Sequence, residues 1–376
     1  MKNTCFLLSF CLFLLLSCKD KAPLDPITED TGKDSTIIQR RDAKQWPFSK
    51  NSIWNMPIGS NAVYVPAKLE PTAGILTLDE DMICMTPDSS LMKVYISNGG
   101  WGGDRSIETS TLAFEAPIPQ SWIVNSGNWD GNTPNACLAV LMPDGITLKQ
   151  AQAFSHFKKG GNGTVSIVVN PDVSIYEDGY YGAHWGSGLS SVGGTLRCGE
   201  LTPTSGRIRH ALKIDLYCAK NAYWDEQTKG YRWPAKFADS YAQGNYGSKR
   251  TTDIVKECRM GALLALPASK NLNDYHFETL PALTLAQAFQ DYGAYVVDDT
   301  AWDVTAIPTE WSPSGRFRDN FKKDWGFDFV VWKDAITPWG RDIQKIMADL
   351  CIVDNNAISI IGGGGIRRQP LAPPFK

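Results

Sequence analysis

Residues 137–145 read CLAVLMPDG, an apolar run followed by a turn sequence. Cys137–Met142 has the length and side chains of a buried strand, and Pro143-Asp144-Gly145 is typical of a tight hairpin turn. Similar short segments, among them Leu91–Ser97 and Thr164–Val169, recur along the chain between Gly, Pro, Asn and Asp. This pattern predicts a mainly β protein, a jelly-roll-like sandwich with a few short helices.

Two segments have helical periodicity. Leu283–Tyr292 ends at Gly293, and glycine commonly ends a helix. Arg341–Leu350 carries one apolar stripe. We expect both to pack as short helices on the β body.

The composition narrows the function classes. The 376 residues are 43% hydrophobic with 13 Trp, which excludes general disorder. The formal net charge of -3 argues against a nucleic-acid partner bound by bulk charge. Trp, Tyr, Gly and Asn together favour a surface that contacts flat, hydroxylated ligands, and we expect a polysaccharide partner.

The first 45 residues predict an export signal and a tether. Lys2 precedes an apolar run, Phe6–Leu16, that is shorter than the about 20 residues of a membrane-spanning helix. Residues 1–17 therefore indicate a signal peptide, and Leu15-Leu16-Ser17-Cys18 resembles the bacterial lipoprotein box, which implies lipidation of Cys18. Residues 18–45 predict a flexible tether and 46–376 a single domain, hence a cell-envelope lipoprotein at the outer membrane or cell surface.

Cysteine and histidine spacing predicts no metal cofactor. The cysteines after Cys18 form no CxxC pair, and none of the four His has zinc-site spacing. Any disulfide pairing stays open. Asp298-Asp299 and Asp354-Asn355-Asn356 offer oxygen ligands for a structural calcium ion, but they lack the EF-hand spacing, which favours surface turns instead.

A set of short motifs between residues 46 and 300 resembles known sequences. They are Phe48-Ser49, Trp54-Asn55-Met56-Pro57-Ile58, Pro143-Asp144-Gly145, Gly186-Ser187-Gly188-Leu189-Ser190, Gly193-Gly194-Thr195, Gly206-Arg207-Ile208-Arg209-His210-Ala211-Leu212 and Tyr292-Gly293-Ala294-Tyr295-Val296-Val297-Asp298. Together they resemble a family of exported bacterial β-rich proteins and lipoproteins whose activity is poorly established, and the resemblance leaves a carbohydrate-directed activity open. The resemblance implies secretion and a single β-rich domain, and it carries no catalytic residues over.

The segment 179–247 concentrates His, Tyr, Arg and Trp. His184 and Trp185 fall in a Gly-rich stretch that we interpret as a loop, where a His beside aromatic rings suits proton transfer next to a stacked sugar. Arg207–Tyr217 predicts a strand with His210 on its apolar face, as a core His or as a base at a cleft floor. The catalytic candidates are His184, His210, Tyr181 and Tyr241, and the substrate-binding candidates are Arg197, Arg209, Lys213, Arg232, Trp185, Trp233 and Trp101.

These candidates favour a polysaccharide lyase acting on a uronic-acid polymer. In β-elimination, Arg or Lys neutralises the uronate carboxylate while His and Tyr move protons. Each candidate also has a structural explanation: a core His, a solvated strand face, or a local ion pair such as Arg197 with Glu200. Two alternatives stay open, a non-catalytic glycan-binding protein and a glycoside hydrolase with paired carboxylates. For the hydrolase, the candidates are Glu108, Glu115, Glu177, Asp178, Glu200, Asp215, Asp225, Glu226 and Asp239.

Overall fold

The computed structural model describes residues 40–126 and 135–376. The predicted signal peptide, Cys18 and the tether up to residue 39 lie outside the described residues, as does Trp129. Within the described ranges, no helix is long and apolar enough to cross a membrane.

Sixteen strands and five short helices make up the described chain. In chain order the strands are β1 (Tyr64–Pro66), β2 (Gly74–Cys84), β3 (Leu91–Ser97), β4 (Glu108–Pro117), β5 (Leu138–Leu141), β6 (Thr147–Gln152), β7 (Gly163–Val165), β8 (Ile167–Ser174), β9 (Tyr181–His184), β10 (Leu212–Leu216), β11 (Leu263–Ala265), β12 (Ala294–Asp299), β13 (Val304–Ser312), β14 (Gly315–Arg316), β15 (Val331–Trp332) and β16 (Cys351–Val353). The helices are α1 (Cys218–Asn221), α2 (Ala242–Asn245), α3 (Leu280–Asp291), α4 (Phe317–Trp325) and α5 (Pro338–Ala348).

Most strands belong to one large mixed sheet with the order β1-β16-β11-β12-β10-β13-β2-β5-β6-β8. Strands β10 and β12 run parallel, as do β13 with β2 and β2 with β5. Strand β10 is antiparallel to β13. The carboxyl ends of β10 and β12 therefore meet the start of β13 at one edge of the central sheet.

A second sheet of three strands, in the order β4-β3-β7, packs over one end of the large sheet. The core between them contains Met82 from β2, Val94 from β3, Phe114 from β4 and Val140 from β5. The opposite face of the large sheet is covered by residues 43–58 and 189–192, with Trp54 almost fully buried. Successive side chains of a strand point to opposite faces, so Met82 and Ile83 serve the two different cores.

The sequence-based expectation of a mainly β, multi-sheet protein with few short helices is confirmed. The hairpin predicted at Pro143-Asp144-Gly145 joins β5 to β6, which pair antiparallel. The predicted helices are α3 and α5, and the Thr337 side chain caps α5 by accepting a hydrogen bond from the Gly340 amide.

Three expectations differ from the structure. The expected strand over Arg207–Tyr217 begins only at Leu212, because the Ala211 amide bonds to the Trp54 carbonyl instead of to a strand. The stretch Thr164–Val169 is divided between β7 and β8 at Ser166. The tether does not reach residue 45: Arg41 is buried and its guanidinium donates to the carbonyls of Trp46 and Pro47.

Candidate active site

A cleft of about 710 Å³ opens where β2, β10, β12 and the start of β13 come together. Its lining is acidic at the floor and aromatic at the sides. The acidic residues are Asp79, Asp215, Asp239, Asp298 and Asp299, and the aromatic ones are Trp101, Trp185, Phe237, Tyr241 and Trp302. Among the described lining residues there is no Arg or Lys.

Asp215 and Asp298 are cross-strand neighbours on parallel β10 and β12, and both line the cleft. Asp215 is 1% exposed, and neither of its carboxyl oxygens has a hydrogen-bond partner within the described chain. Burial, with Asp79 and Asp298 close by, raises the pKa of Asp215 well above its usual value.

Asp298 is held by two donors. Its Oδ1 accepts a hydrogen bond from the Asp299 amide at 3.1 Å, and its Oδ2 lies 3.3 Å from Nδ1 of His184. The pair therefore contains one carboxyl without partners and one carboxyl fixed on both oxygens. Two titratable groups in such different environments are suited to act as the acid and the base of one reaction.

Two further carboxyls of the cleft hold protons more tightly than usual. Burial and the nearby Asp81 raise the pKa of Asp79 to about 7, although Asn135 donates to its Oδ2. Burial and Asp298 raise the pKa of Asp239 to about 7. The floor of the cleft therefore changes its charge close to neutral pH.

A row of charged side chains lies directly beneath the cleft. Lys213 on β10 donates to Asp81 Oδ2 on β2 at 2.7 Å, and Asp81 Oδ1 lies 3.1 Å from His184 Nε2. All three side chains are fully buried. Burial opposes ionisation of Asp81, but Lys213 and His184 hold the pKa of Asp81 below its usual value. Burial lowers the pKa of His184, but the Asp81 and Asp298 carboxyl groups outweigh burial and raise that pKa well above 6.5.

The same row contains a potential metal-ligand set. Atoms of Asp81, Cys137 and His184 lie within 4.8 Å of one another. However, Lys213 Nζ already contacts both Asp81 and His184, so an ammonium supplies positive charge there. Burial raises the pKa of Cys137 to about 12, which keeps the thiol protonated near neutral pH.

Five of the predicted site residues come together. Trp101, Trp185 and Tyr241 line the cleft, while His184 and Lys213 lie beneath it. His184 differs from its expected place in a loop, because it ends strand β9 and is fully buried. Lys213 is likewise not on a solvated strand face.

The other predicted residues lie elsewhere, each with a partner or environment that explains it. His210 pairs with Glu200 at 2.9 Å, and Arg197 pairs with Glu310 at 2.8 Å rather than with Glu200. Arg232 bonds to Asp354. Arg209 is exposed, Trp233 packs against the core, and the Tyr181 hydroxyl donates to the Asn170 carbonyl.

The sequence interpretation missed Asp79 and Asp81, and it considered Asp298 only as part of a calcium site or a surface turn. Asp298 and Asp299 are buried at the end of β12 rather than in a surface turn. The signal that could have found these residues is the presence of carboxylates inside apolar strands, as in GILTLDEDMIC of β2 and AYVVDD of β12. Charged side chains are rarely buried unless a partner or a function retains them.

No family model matches this chain, and no match exists among the curated proteins or the solved structures. Its function is therefore inferred from the chemistry of the cleft.

Proposed function

We propose that the protein is a glycoside hydrolase that cleaves an uncharged polysaccharide or oligosaccharide in the acidic, aromatic cleft. One observation carries the proposal: the cross-strand pair of Asp215 and Asp298, in which Asp215 faces the cleft without a partner. Glycoside hydrolysis needs two carboxyl groups beside the scissile bond, one protonated and one ionised.

The two carboxyls take different roles. Asp215 retains its proton and gives it to the glycosidic oxygen as the C1–O bond breaks. Asp298, hydrogen-bonded by the Asp299 amide and His184, attacks the anomeric carbon from the other side and forms a C1–O ester bond as the glycosidic bond breaks. A water molecule then attacks C1, the ester bond to Asp298 breaks, and the water gives one proton to the Asp215 carboxylate, so the net reaction consumes one water.

The strand spacing favours attack by Asp298 itself. Neighbouring strands lie about 4.8 Å apart, and paired carboxyls about 5 Å apart characterise hydrolases that retain the anomeric configuration. Asp298 is thus the nucleophile of a two-step reaction, and the first product keeps the configuration of the substrate.

The aromatic sides suit the binding of sugar rings. Trp101, Trp185 and Tyr241 are each more than a third exposed, although they line the cleft. Flat rings of this kind stack on the apolar faces of pyranoses and furanoses. An uncharged glycan fits better than a uronate polymer, because five acidic residues line the cleft and no described lining residue is a cation that could neutralise a substrate carboxylate.

A uronate lyase remains a prediction, and the assay described below distinguishes it from a hydrolase. Its support within the cleft is Tyr241, a residue type that moves protons in β-elimination, although the Tyr241 hydroxyl donates a hydrogen bond to Asp299 at 3.2 Å. Its four predicted cations do not line the cleft among the described residues.

The test incubates the protein with uncharged glycans and uronate polymers, and measures reducing ends and the absorbance of unsaturated sugars. We expect reducing ends from an uncharged glycan without new absorbance. Asp215→Asn should lower turnover by about 10²- to 10⁴-fold, because Asn cannot donate the proton. The matched control is Asp172→Asn, which removes a carboxylate paired with Lys149 at the surface.

Other outcomes would reject the proposal. Absorbance from uronate polymers would assign a lyase. Saturable glycan binding without any product, unchanged in Asp215→Asn, would assign a binding protein.

A further inference from the structure

Among the hydrogen bonds of the described residues, one contact joins the buried charge row of Lys213, Asp81 and His184 to the cleft floor. That contact is His184 Nδ1 with Asp298 Oδ2, at 3.3 Å. The row draws its members from three strands, β10, β2 and β9, and its contact Asp298 lies on a fourth, β12. A buried ion network is costly unless its geometry is good, so its place directly behind a candidate catalytic carboxylate requires an explanation.

The far side of the imidazole is fully occupied. Nε2 lies 3.1 Å from Asp81 Oδ1 and 3.0 Å from Lys213 Nζ. Lys213 is fixed in turn by the Ser190 carbonyl at 2.9 Å, and Asp81 by the Thr195 hydroxyl at 2.6 Å. The ring therefore has one orientation, and the hydrogen bond on one nitrogen determines the role of the other.

Six ionisable groups face the His184 ring. They are Asp79 and Asp81 of β2, Lys213 and Asp215 of β10, Asp298 of β12 and the Cys137 thiol. Nδ1 faces a carboxylate oxygen at 3.3 Å and a protonated thiol at 3.6 Å. In both the neutral Nδ1–H form and the imidazolium form, Nδ1 donates to Asp298.

We infer that His184 is a positioning residue, whose Nδ1–H holds the Asp298 carboxylate in its reactive orientation while Asp81 and Lys213 lock the ring. This inference rests on the proposed function for its effect on turnover, although the hydrogen bond itself does not. His184 is not a catalytic residue, because it is fully buried and lies behind Asp298 rather than in the cleft.

Two substitutions separate positioning from packing. The amide nitrogen of Asn is bonded directly to Cγ, as Nδ1 is, whereas that of Gln lies one bond further, near the Nε2 position. His184→Asn can therefore still donate to Asp298, and His184→Gln cannot do so from the same place. We expect His184→Gln to lower kcat about 100-fold with little change in KM, and His184→Asn to restore most of that loss.

The matched controls are His210→Asn and His210→Gln. His210 is also a buried His paired with a carboxylate, Glu200, but it does not line the cleft. We expect the two His210 variants to have equal kcat. Equal kcat for folded His184→Asn and His184→Gln would overturn the positioning role.

A second measurement does not depend on turnover. In protein labelled with ¹⁵N-histidine, the His184 Nδ1–H signal should be present and slow to exchange with solvent at neutral pH. Asp298→Ala should shift this signal and speed its exchange. An unprotonated Nδ1 in the parent protein would overturn the inference even if the glycan is cleaved. A protected Nδ1–H without cleavage of any glycan would sustain the hydrogen bond and reject the proposed function instead.

Discussion

Asp79→Asn should make the stability of the protein less sensitive to pH. Burial and the neighbouring Asp81 raise the pKa of Asp79 from 3.8 to about 7. Between about pH 4 and pH 7 the unfolded chain therefore releases this proton while the folded protein retains it. The folded state binds more protons over that range, so the free energy of unfolding falls as the pH rises. At about 1.4 kcal/mol per pKa unit, the total loss is about 4 kcal/mol.

Asn removes this titration but leaves the shape of the side chain. It also presents one acceptor oxygen to two donors, the Glu80 amide and Asn135, which costs about 1 kcal/mol at every pH. Relative to the parent, the free energy of unfolding of Asp79→Asn should therefore improve by about 4 kcal/mol between pH 4 and pH 8.

Urea unfolding at the two pH values measures this difference, and Asp172→Asn serves as the surface control. An Asp79→Asn variant whose stability relative to the parent is the same at both pH values would refute the reasoning. It would mean that Asp79 is ionised in the folded protein.

Three further outcomes follow from the contacts described above. Lys213→Met should destabilise the protein by about 3–5 kcal/mol in urea unfolding, because it leaves Asp81 buried without its ammonium partner. The control Lys149→Met breaks an exposed ion pair and should cost less than about 1 kcal/mol. Equal losses of stability in the two variants would contradict the role of the buried charge row. Trp101→Ala should weaken glycan binding about 3- to 10-fold by calorimetry, whereas Trp332→Ala, exposed but not among the residues that line the cleft, should leave it unchanged. In native protein, thiol alkylation mapped by mass spectrometry should modify Cys198 before the five buried cysteines of the described chain, because Cys198 is partly exposed. Slower modification of Cys198 than of those five would contradict this prediction.

Local features of the fold could be predicted from the sequence. The hairpin of β5 and β6 depends on a turn and two neighbouring apolar runs, all within residues 137–152. Helices α3 and α5 follow from a short periodic pattern and a clear end or cap. Such features depend on residues a few positions apart, which is the range that periodicity and turn chemistry describe.

The central pairings could not be predicted in this way. Strand β2 pairs with β13, more than two hundred residues later in the chain, and no local pattern encodes that partner. The cleft depends on this pairing, because it brings Asp79 toward Asp215 and Asp298. Residues predicted as one cluster from their nearness in sequence, such as His184 and His210, belong to separate networks.

The predicted strand around Lys213 shows most clearly what a local sequence pattern leaves undetermined. Strand alternation places Lys213 and Asp215 on the same side of β10. That face is buried. Strand alternation determines which residues share a side of the strand, but it does not determine whether that side meets solvent. The pairing of Lys213 with Asp81 is what makes its burial possible.

The most direct test of the central claim is glycan cleavage in water enriched in ¹⁸O, with the products analysed by mass spectrometry. Hydrolysis at the Asp215–Asp298 pair predicts one ¹⁸O at the new anomeric carbon for every bond cleaved, and loss of this product in Asp215→Asn. Unsaturated products without the label, or labelled products formed equally fast by Asp215→Asn, would contradict it.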